Sequence, residues 1–191
     1  MLQNRLVISG FDEVGRGCLA GPVVAAAVIL DSQKPISGLA DSKKMSAKHR
    51  EHLAILIKSR AITWAIGRAE ASEVDNFNVL QASLLAMSRA FSMLQVKPDW
   101  VKVDGNYFPD IDCPGETIIQ GDSKVAEISA ASILAKVARD AEMAGLDKIY
   151  EGYNFARHKG YPTQLHLQKL QQFGVLPLHR KSFTSVKKLL T

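Results

Sequence analysis

The sequence predicts an α/β fold: a mixed sheet flanked by helices, with a basic, helical C-terminal region from about residue 152 to 191. Three observations carry that prediction. Segments 5–11 (RLVISGF) and 22–30 (PVVAAAVIL) are short runs rich in β-branched residues around the glycine-rich turn DEVGRGCLAG, the pattern of a strand hairpin. Later segments place apolar residues at spacings of three and four, the helical period. Strands concentrate early and helices late along 191 residues that are 47% hydrophobic, with no repeat, low-complexity tract or linker. One domain spanning 1–191 is therefore expected.

The elements follow in order. After the hairpin and a polar loop, Ser46 is a candidate N-cap for a helix beginning Ala47-Lys-His-Arg. Segment 61–68 (AITWAIGR) suits a third strand. From Ala71 to Leu94 the apolar positions Val74, Phe77, Leu80, Leu84, Met87, Phe91 and Leu94 describe one amphipathic helix or two in sequence. Trp100-Val-Lys-Val-Asp104 alternates as a short strand, and Glu116-Thr-Ile-Ile-Gln120 forms another. Helix resumes from Asp122, with a small-residue face from Ser129 to Ala135 that permits close packing on a sheet. Gly160-Tyr-Pro-Thr is a turn before a helix over about 163–173, and Pro177 sets off a short terminal helix.

Composition narrows the function. Cys18 and Cys113 have neither CxxC nor Cys/His spacing, which argues against a structural zinc site and a secreted disulfide scaffold. The first ten residues lack the basic start and apolar run of a signal peptide, and no segment approaches 18 consecutive apolar residues, so a soluble, cytoplasmic protein is expected. Net charge is +5, but the basic residues are unevenly placed: after Glu151 come Arg157, Lys159, Lys169, Arg180, Lys181, Lys187 and Lys188 and no acidic residue. Such an end faces a polyanion, or is simply a solvated basic surface.

Four carboxylates, Asp12, Glu13, Asp104 and Asp122, fall where strands or helices begin or end. Strand ends on one sheet edge converge in space, and hard oxygen donors with few histidines nearby suit Mg²⁺ or Mn²⁺ rather than zinc. Two-metal phosphodiester hydrolysis needs several carboxylates around one phosphate. Each acid has an ordinary alternative. Asp122 is placed to cap a helix, and Asp104 before Gly105 to open a turn. Adjacent Asp12 and Glu13 point to opposite faces of a regular strand, so both reach one site only if the strand ends or bulges there.

Several segments together resemble the type 2 ribonucleases H (ribonuclease HII). Gly10-Phe-Asp-Glu-Val-Gly-Arg-Gly-Cys-Leu-Ala-Gly-Pro-Val is similar to that family's N-terminal signature, and Leu39-Ala-Asp-Ser-Lys-Lys to its DSKK segment. Val103-Asp-Gly resembles its third acidic strand. Gly121-Asp-Ser-Lys-Val with Ile128-Ser-Ala-Ala-Ser-Ile-Leu-Ala-Lys-Val-Ala-Arg-Asp resembles the fourth acid and its helix, and His158-Lys-Gly-Tyr-Pro-Thr its tyrosine turn. The resemblance implies a ribonuclease H-like sheet and an endoribonuclease acting on RNA/DNA hybrids and on single ribonucleotides in duplex DNA. It implies that Asp12, Glu13, Asp104 and Asp122 are catalytic and hold Mn²⁺ or Mg²⁺, and that cleavage leaves 5′-phosphate and 3′-hydroxyl ends. It further implies substrate contacts from Gly15, Arg16, Gly17, Ser42, Lys43, Lys44 and Tyr161. A monomer with no membrane partner is the simplest expectation.

Physical chemistry adds to these implications. Telling RNA from DNA must involve the 2′-hydroxyl, and a side chain at Gly15 or Gly17 would block close backbone approach to it. Arg16 offers charge to phosphate or makes a surface salt bridge. Tyr161 contacts sugar or anchors a loop, and the Ser42–Lys44 loop contacts phosphate or is solvated. The basic C-terminal region reads as a duplex-binding surface. Cys18 is expected to be a small packed side chain, and His158 and His179 surface histidines.

Competing functions are weaker. Gly15-Arg-Gly-Cys-Leu-Ala20 formally fits a dinucleotide-binding GxGxxA, but Pro22 and a valine–alanine run follow where a phosphate-binding helix should begin. Another nuclease on the same general fold, such as a junction resolvase or a type 1 ribonuclease H, is a second possibility. A non-catalytic binding module would keep the basic end but has no need of four acids.

Overall fold

The computed structural model describes residues 6–40, 42 and 45–190. Five strands form one mixed sheet: β1 (Ile8–Val14), β2 (Val23–Ile29), β3 (Thr63–Ala69), β4 (Trp100–Asp104) and β5 (Gly115–Ile118). Their spatial order is β3-β2-β1-β4-β5. The first three are antiparallel neighbours, whereas β4 runs parallel to both β1 and β5. Every residue of β2 is buried, because helices cover both faces and its side chains alternate between them. Val23, Ala25 and Ala27 meet α2 (Ala71–Ser92) on one side. Val24, Ala26 and Val28 meet α1 (Ala47–Arg60) and α3 (Ala126–Ile149) on the other.

Small residues set the spacing of these layers. A Cβ at Gly67 in β3 would stand 2.0 Å from the Ala86 carbonyl oxygen of α2, and one at Gly10 in β1 2.1 Å from the Glu127 carbonyl carbon of α3. Helix and strand backbones therefore touch directly, and the small face from Ser129 to Ala135 packs on the sheet as the sequence predicts.

Local signals were read correctly in most places. The Ser46 hydroxyl accepts from the His49 N–H at 3.3 Å and caps α1. The long apolar stretch is two helices in sequence: Asn78 (φ 68°, ψ 165°) breaks α2, and its side-chain oxygen accepts from the N–H groups of Leu80 and Gln81 at 3.0 and 3.1 Å. That is an N-cap inside the helix. The first strand, in contrast, begins and ends later than its composition suggests and runs through Asp12 and Glu13 to Val14. Asp122 does not cap α3: it lies in a separate 3₁₀ turn, Gly121–Ser123, and Val125 is the N-cap.

The C-terminal region comprises α4 (Phe155–His158), α5 (Gln164–Phe173) and α6 (Thr184–Lys187). It folds back on the loop between β1 and β2. Leu19 N–H donates to the Gly160 carbonyl at 2.8 Å, Gly21 N–H to Leu178 at 2.9 Å, and Arg180 N–H to Leu19 at 2.8 Å. His158 and His179 are buried, not on the surface. They stack with His166 beside Tyr153 and Phe155, the His158 and His166 ring centroids being 4.1 Å apart. Arg180 is likewise fully buried and is no part of an exposed basic surface, whereas Lys181 and Lys187 are exposed.

Candidate active site

Parallel pairing brings the first and third acids together. The β1–β4 register ends at Phe11↔Val103, so the next residues, Asp12 and Asp104, leave adjacent strands side by side. Past that pair β1 continues along β2 only, with Asp12↔Ala26 and Glu13↔Ala25. Its β4 side is thus open at the strand end. This answers the objection that adjacent residues face opposite ways: Asp12 and Glu13 both line one cleft of about 410 Å³, with Val14, Ser42, Ser132, Lys136 and Tyr161. Asp104 accepts from the Gly121 N–H at 2.7 Å, which pins the 3₁₀ turn carrying Asp122 against the end of β4. Asp104 and Asp122 are not walls of that cleft but stand beyond Asp12, on the β4 side.

Electrostatics at this corner are unfavourable to charge. Burial pushes the Asp12 carboxyl well above its ordinary range, and repulsion from Glu13 and Asp104 adds to the effect. Ser132 and the Glu13 N–H, which donates to Asp12 at 2.7 Å, offset part of it. Glu13 is also raised, first by burial, while Arg16 at 3.1 Å opposes the rise. A cation at this corner would relieve that repulsion, and all the donors are hard oxygens. Among the described residues no three acidic, histidine or cysteine side chains close a cation cage by themselves. An open set fits Mg²⁺ or Mn²⁺, which commonly complete their coordination with water and substrate phosphate oxygens.

The remaining predicted residues divide. Gly15 is required by the protein itself: its φ is +95° and a Cβ there would meet Arg139 Nε at 2.3 Å. Gly17 has nothing within 4 Å of the equivalent position, so a side chain there would project into open space. Arg16 makes the surface salt bridge, to Glu13. Ser42 is buried and shares a 2.8 Å hydrogen bond with Ser132. Tyr161 lies under Lys136 Nζ, 5.7 Å above its ring, and within hydrogen-bonding reach of Cys18. Cys18 is buried and its thiol is pushed up, chiefly by desolvation, as a packed side chain. Lys43 and Lys44 lie outside the described residues.

Two cleft residues, Ser132 and Lys136, were not singled out by sequence reasoning. Their signal was a spacing of four in α3, which stacks them on one helical face. Lys136 lines the same cleft as Asp12 and Glu13, and its amine bonds Asp140 at 2.8 Å.

A mixed sheet whose neighbouring parallel strands β1 and β4 carry carboxylates near their ends, backed by a long helix and a cleft, defines a ribonuclease H-like protein. The family model described as Ribonuclease HII matches residues 9–186, and the chain belongs to that family. It is accordingly a nuclease of the ribonuclease H type, a group dependent on divalent metal. Solved structures agree in fold. Ribonuclease H2 from Pyrococcus horikoshii OT3 superposes with a TM-score of 0.77 at 24% identity, over 95% of this chain and 96% of that one. Ribonuclease HII of Archaeoglobus fulgidus, in a complex with PCNA, gives 0.76 at 23%, over 94% and 96%. Bst-RNase HIII in complex with Mn²⁺ gives 0.72 at 19%, over 97% of this chain and 69% of that one. Among the described residues no helix is long and apolar enough to cross a membrane.

Proposed function

We propose that this chain is a single-domain, cytoplasmic, monomeric endoribonuclease of ribonucleotide excision repair. It hydrolyses the RNA strand of RNA/DNA hybrids and cuts 5′ of single ribonucleotides embedded in duplex DNA. The observation that carries the reading is the β1–β4 register, which sets Asp104 beside Asp12 while Gly121 ties the Asp122 turn to the same corner. Asp12, Glu13, Asp104 and Asp122 are the residues that hold Mn²⁺ or Mg²⁺. The chemistry such ions would supply at these acids is activation of a water and stabilisation of the departing 3′ oxygen, which would account for a 5′-phosphate and a 3′-hydroxyl without a covalent nucleophile.

The chain's own residues select the substrate. The open space at Gly17 lets the backbone of Gly15-Arg16-Gly17 approach the 2′-hydroxyl, which donates and accepts hydrogen bonds. Tyr161 presents a ring to the neighbouring sugar, and Arg16, Ser42, Lys43 and Lys44 position the phosphates.

Cleavage of a labelled duplex containing one ribonucleotide, beside an RNA/DNA hybrid and an all-DNA control, with Mn²⁺, Mg²⁺ or EDTA, tests this reading. A metal-dependent cut just 5′ of the lone ribonucleotide is expected. Cleavage of the long hybrid alone would instead indicate type 1 specificity.

A further inference from the structure

Two arginines, Arg139 of α3 and Arg180, are fully buried, and their guanidinium hydrogen bonds run to backbone carbonyls. Arg139 donates from Nε to Pro22 at 2.9 Å, from one terminal nitrogen to Lys159 at 2.8 Å and from the other to Ala20 at 3.0 Å. Arg180 donates to Gly21 from two nitrogens, at 3.2 and 2.9 Å, and to Arg16 at 2.8 Å. Burying a charge is costly, and carbonyl dipoles compensate it less fully than a carboxylate does. Burial accordingly lowers the Arg180 pKa to about 10 and Arg139 opposes its charge further, yet it remains protonated at neutral pH. A pair of mutually repelling buried cations is a poor way to stabilise a core, so its benefit lies elsewhere.

Peptide geometry indicates where. In a trans peptide the carbonyl of one residue and the N–H of the next point in opposite directions. Because the Arg16 carbonyl is drawn inward to Arg180, the Gly17 N–H is turned away from that buried guanidinium, and the Cβ position of Gly17 is itself open. Arg139 joins the β2 end of the same loop to the turn that carries Tyr161, through Lys159. It also occupies the space beside Gly15 that a side chain there would need.

We propose that Arg139 and Arg180 are positioning residues for ribose recognition, a buried clamp that orients the Gly17 N–H and fixes its loop against the Tyr161 turn. The inference rests on the ribonucleotide-cleaving reading above. Lysine keeps the charge but lacks the planar fork that grips several carbonyls at once, so R139K and R180K separate geometry from charge. In variants whose circular dichroism and melting remain native-like, kcat/KM at a single ribonucleotide is expected to fall roughly tenfold, the scale of one misdirected hydrogen bond. Mn²⁺ affinity is expected to stay within about twofold and binding of an all-DNA duplex to fall by less than about threefold, because, of the phosphate contacts proposed above, only Arg16 lies on the clamped loop.

Unchanged kcat/KM in folded variants overturns the clamp, as does an equal loss of all-DNA binding, which marks mere structural damage. If the lysine variants do not fold, the wild type labelled with ¹⁵N-arginine decides: two slowly exchanging guanidinium Nε–H signals are expected, and fast exchange at either overturns it. Wild type that cuts at no ribonucleotide overturns the underlying reading as well, whereas a wild type that cuts beside unaffected variants overturns the clamp alone.

Discussion

Acidification from pH 7.5 to 4.5 is expected to draw stability from this protein through its buried histidines. The backbone fixes their tautomers. His179 Nδ1 accepts from the Leu176 N–H at 2.9 Å, so its Nε2 donates to His166 Nε2 at 3.1 Å. His166 Nδ1 is then the donor to the Tyr161 carbonyl at 3.0 Å. His158 Nδ1 accepts from Gly160 N–H at 3.1 Å and its Nε2 donates to Tyr153 at 2.8 Å. All three rings are thus neutral, and a proton added to His166 would set two N–H groups against each other. Burial first, and the neighbouring histidines next, lower His166 and His179 to about 4, from 6.5.

Between those values the unfolded chain binds more protons than the folded one. Stability is therefore intact above pH 6.5 and is lost as pH falls towards 4. The loss at pH 4.5 is about 2.5 kcal/mol for either ring taken alone, and the two are not simply additive because they share a hydrogen bond. Asp12 and Glu13, whose folded pKa values are raised, act in the opposite sense. Urea unfolding followed by circular dichroism at stepped pH is therefore compared between wild type and H166Q, whose curve is expected to slope less. Imidazole NMR titration gives the direct check, and a midpoint near 6.5 for His166 and His179 in the folded protein would falsify the argument.

Other perturbations have equally definite outcomes. Asp104→Asn is expected to abolish cleavage while hybrid binding, measured by fluorescence anisotropy, stays largely intact; unchanged turnover would remove the four-acid site. Gly67→Ala forces the α2 backbone away from β3 and is expected to cost about 1–3 kcal/mol or more, read as a lower urea midpoint. Asn78→Ala removes the cap of the second half of α2 and places a Cβ residue without that side-chain bond at positive φ. A loss of about 1–2 kcal/mol is expected from thermal melts.

Most element types were legible because local signals and tertiary packing agree here: Ser46 caps a helix, and the Trp100–Asp104 alternation matches a strand with one residue in two buried. What misled was information held at a distance. Nothing local tells that β4 stops pairing with β1 after Phe11, at the edge where Asp12 and Glu13 line one cleft. Reading His158, His179 and Arg180 as surface residues failed for the same reason. Their polar atoms are satisfied by carbonyls and rings far away in sequence, such as Gly21 for Arg180, and side-chain type alone suggested exposure. Ser132 and Lys136 were within reach, since helical spacing from the small face of α3 would have placed them together.

The closure of residues 16–21 by residues 178–180 joins positions separated by as many as 164 residues. In folding terms this is a contact of very high order, and such contacts are costly to close before the rest of the chain has collapsed. The β1–β2 hairpin that carries Asp12 and Glu13 needs only its own neighbourhood in sequence. A chain that has assembled its sheet but not yet docked its last segment therefore holds the acids while the loop after them lacks its closing contacts, so on the function proposed above discrimination of substrate is expected to arrive late in folding.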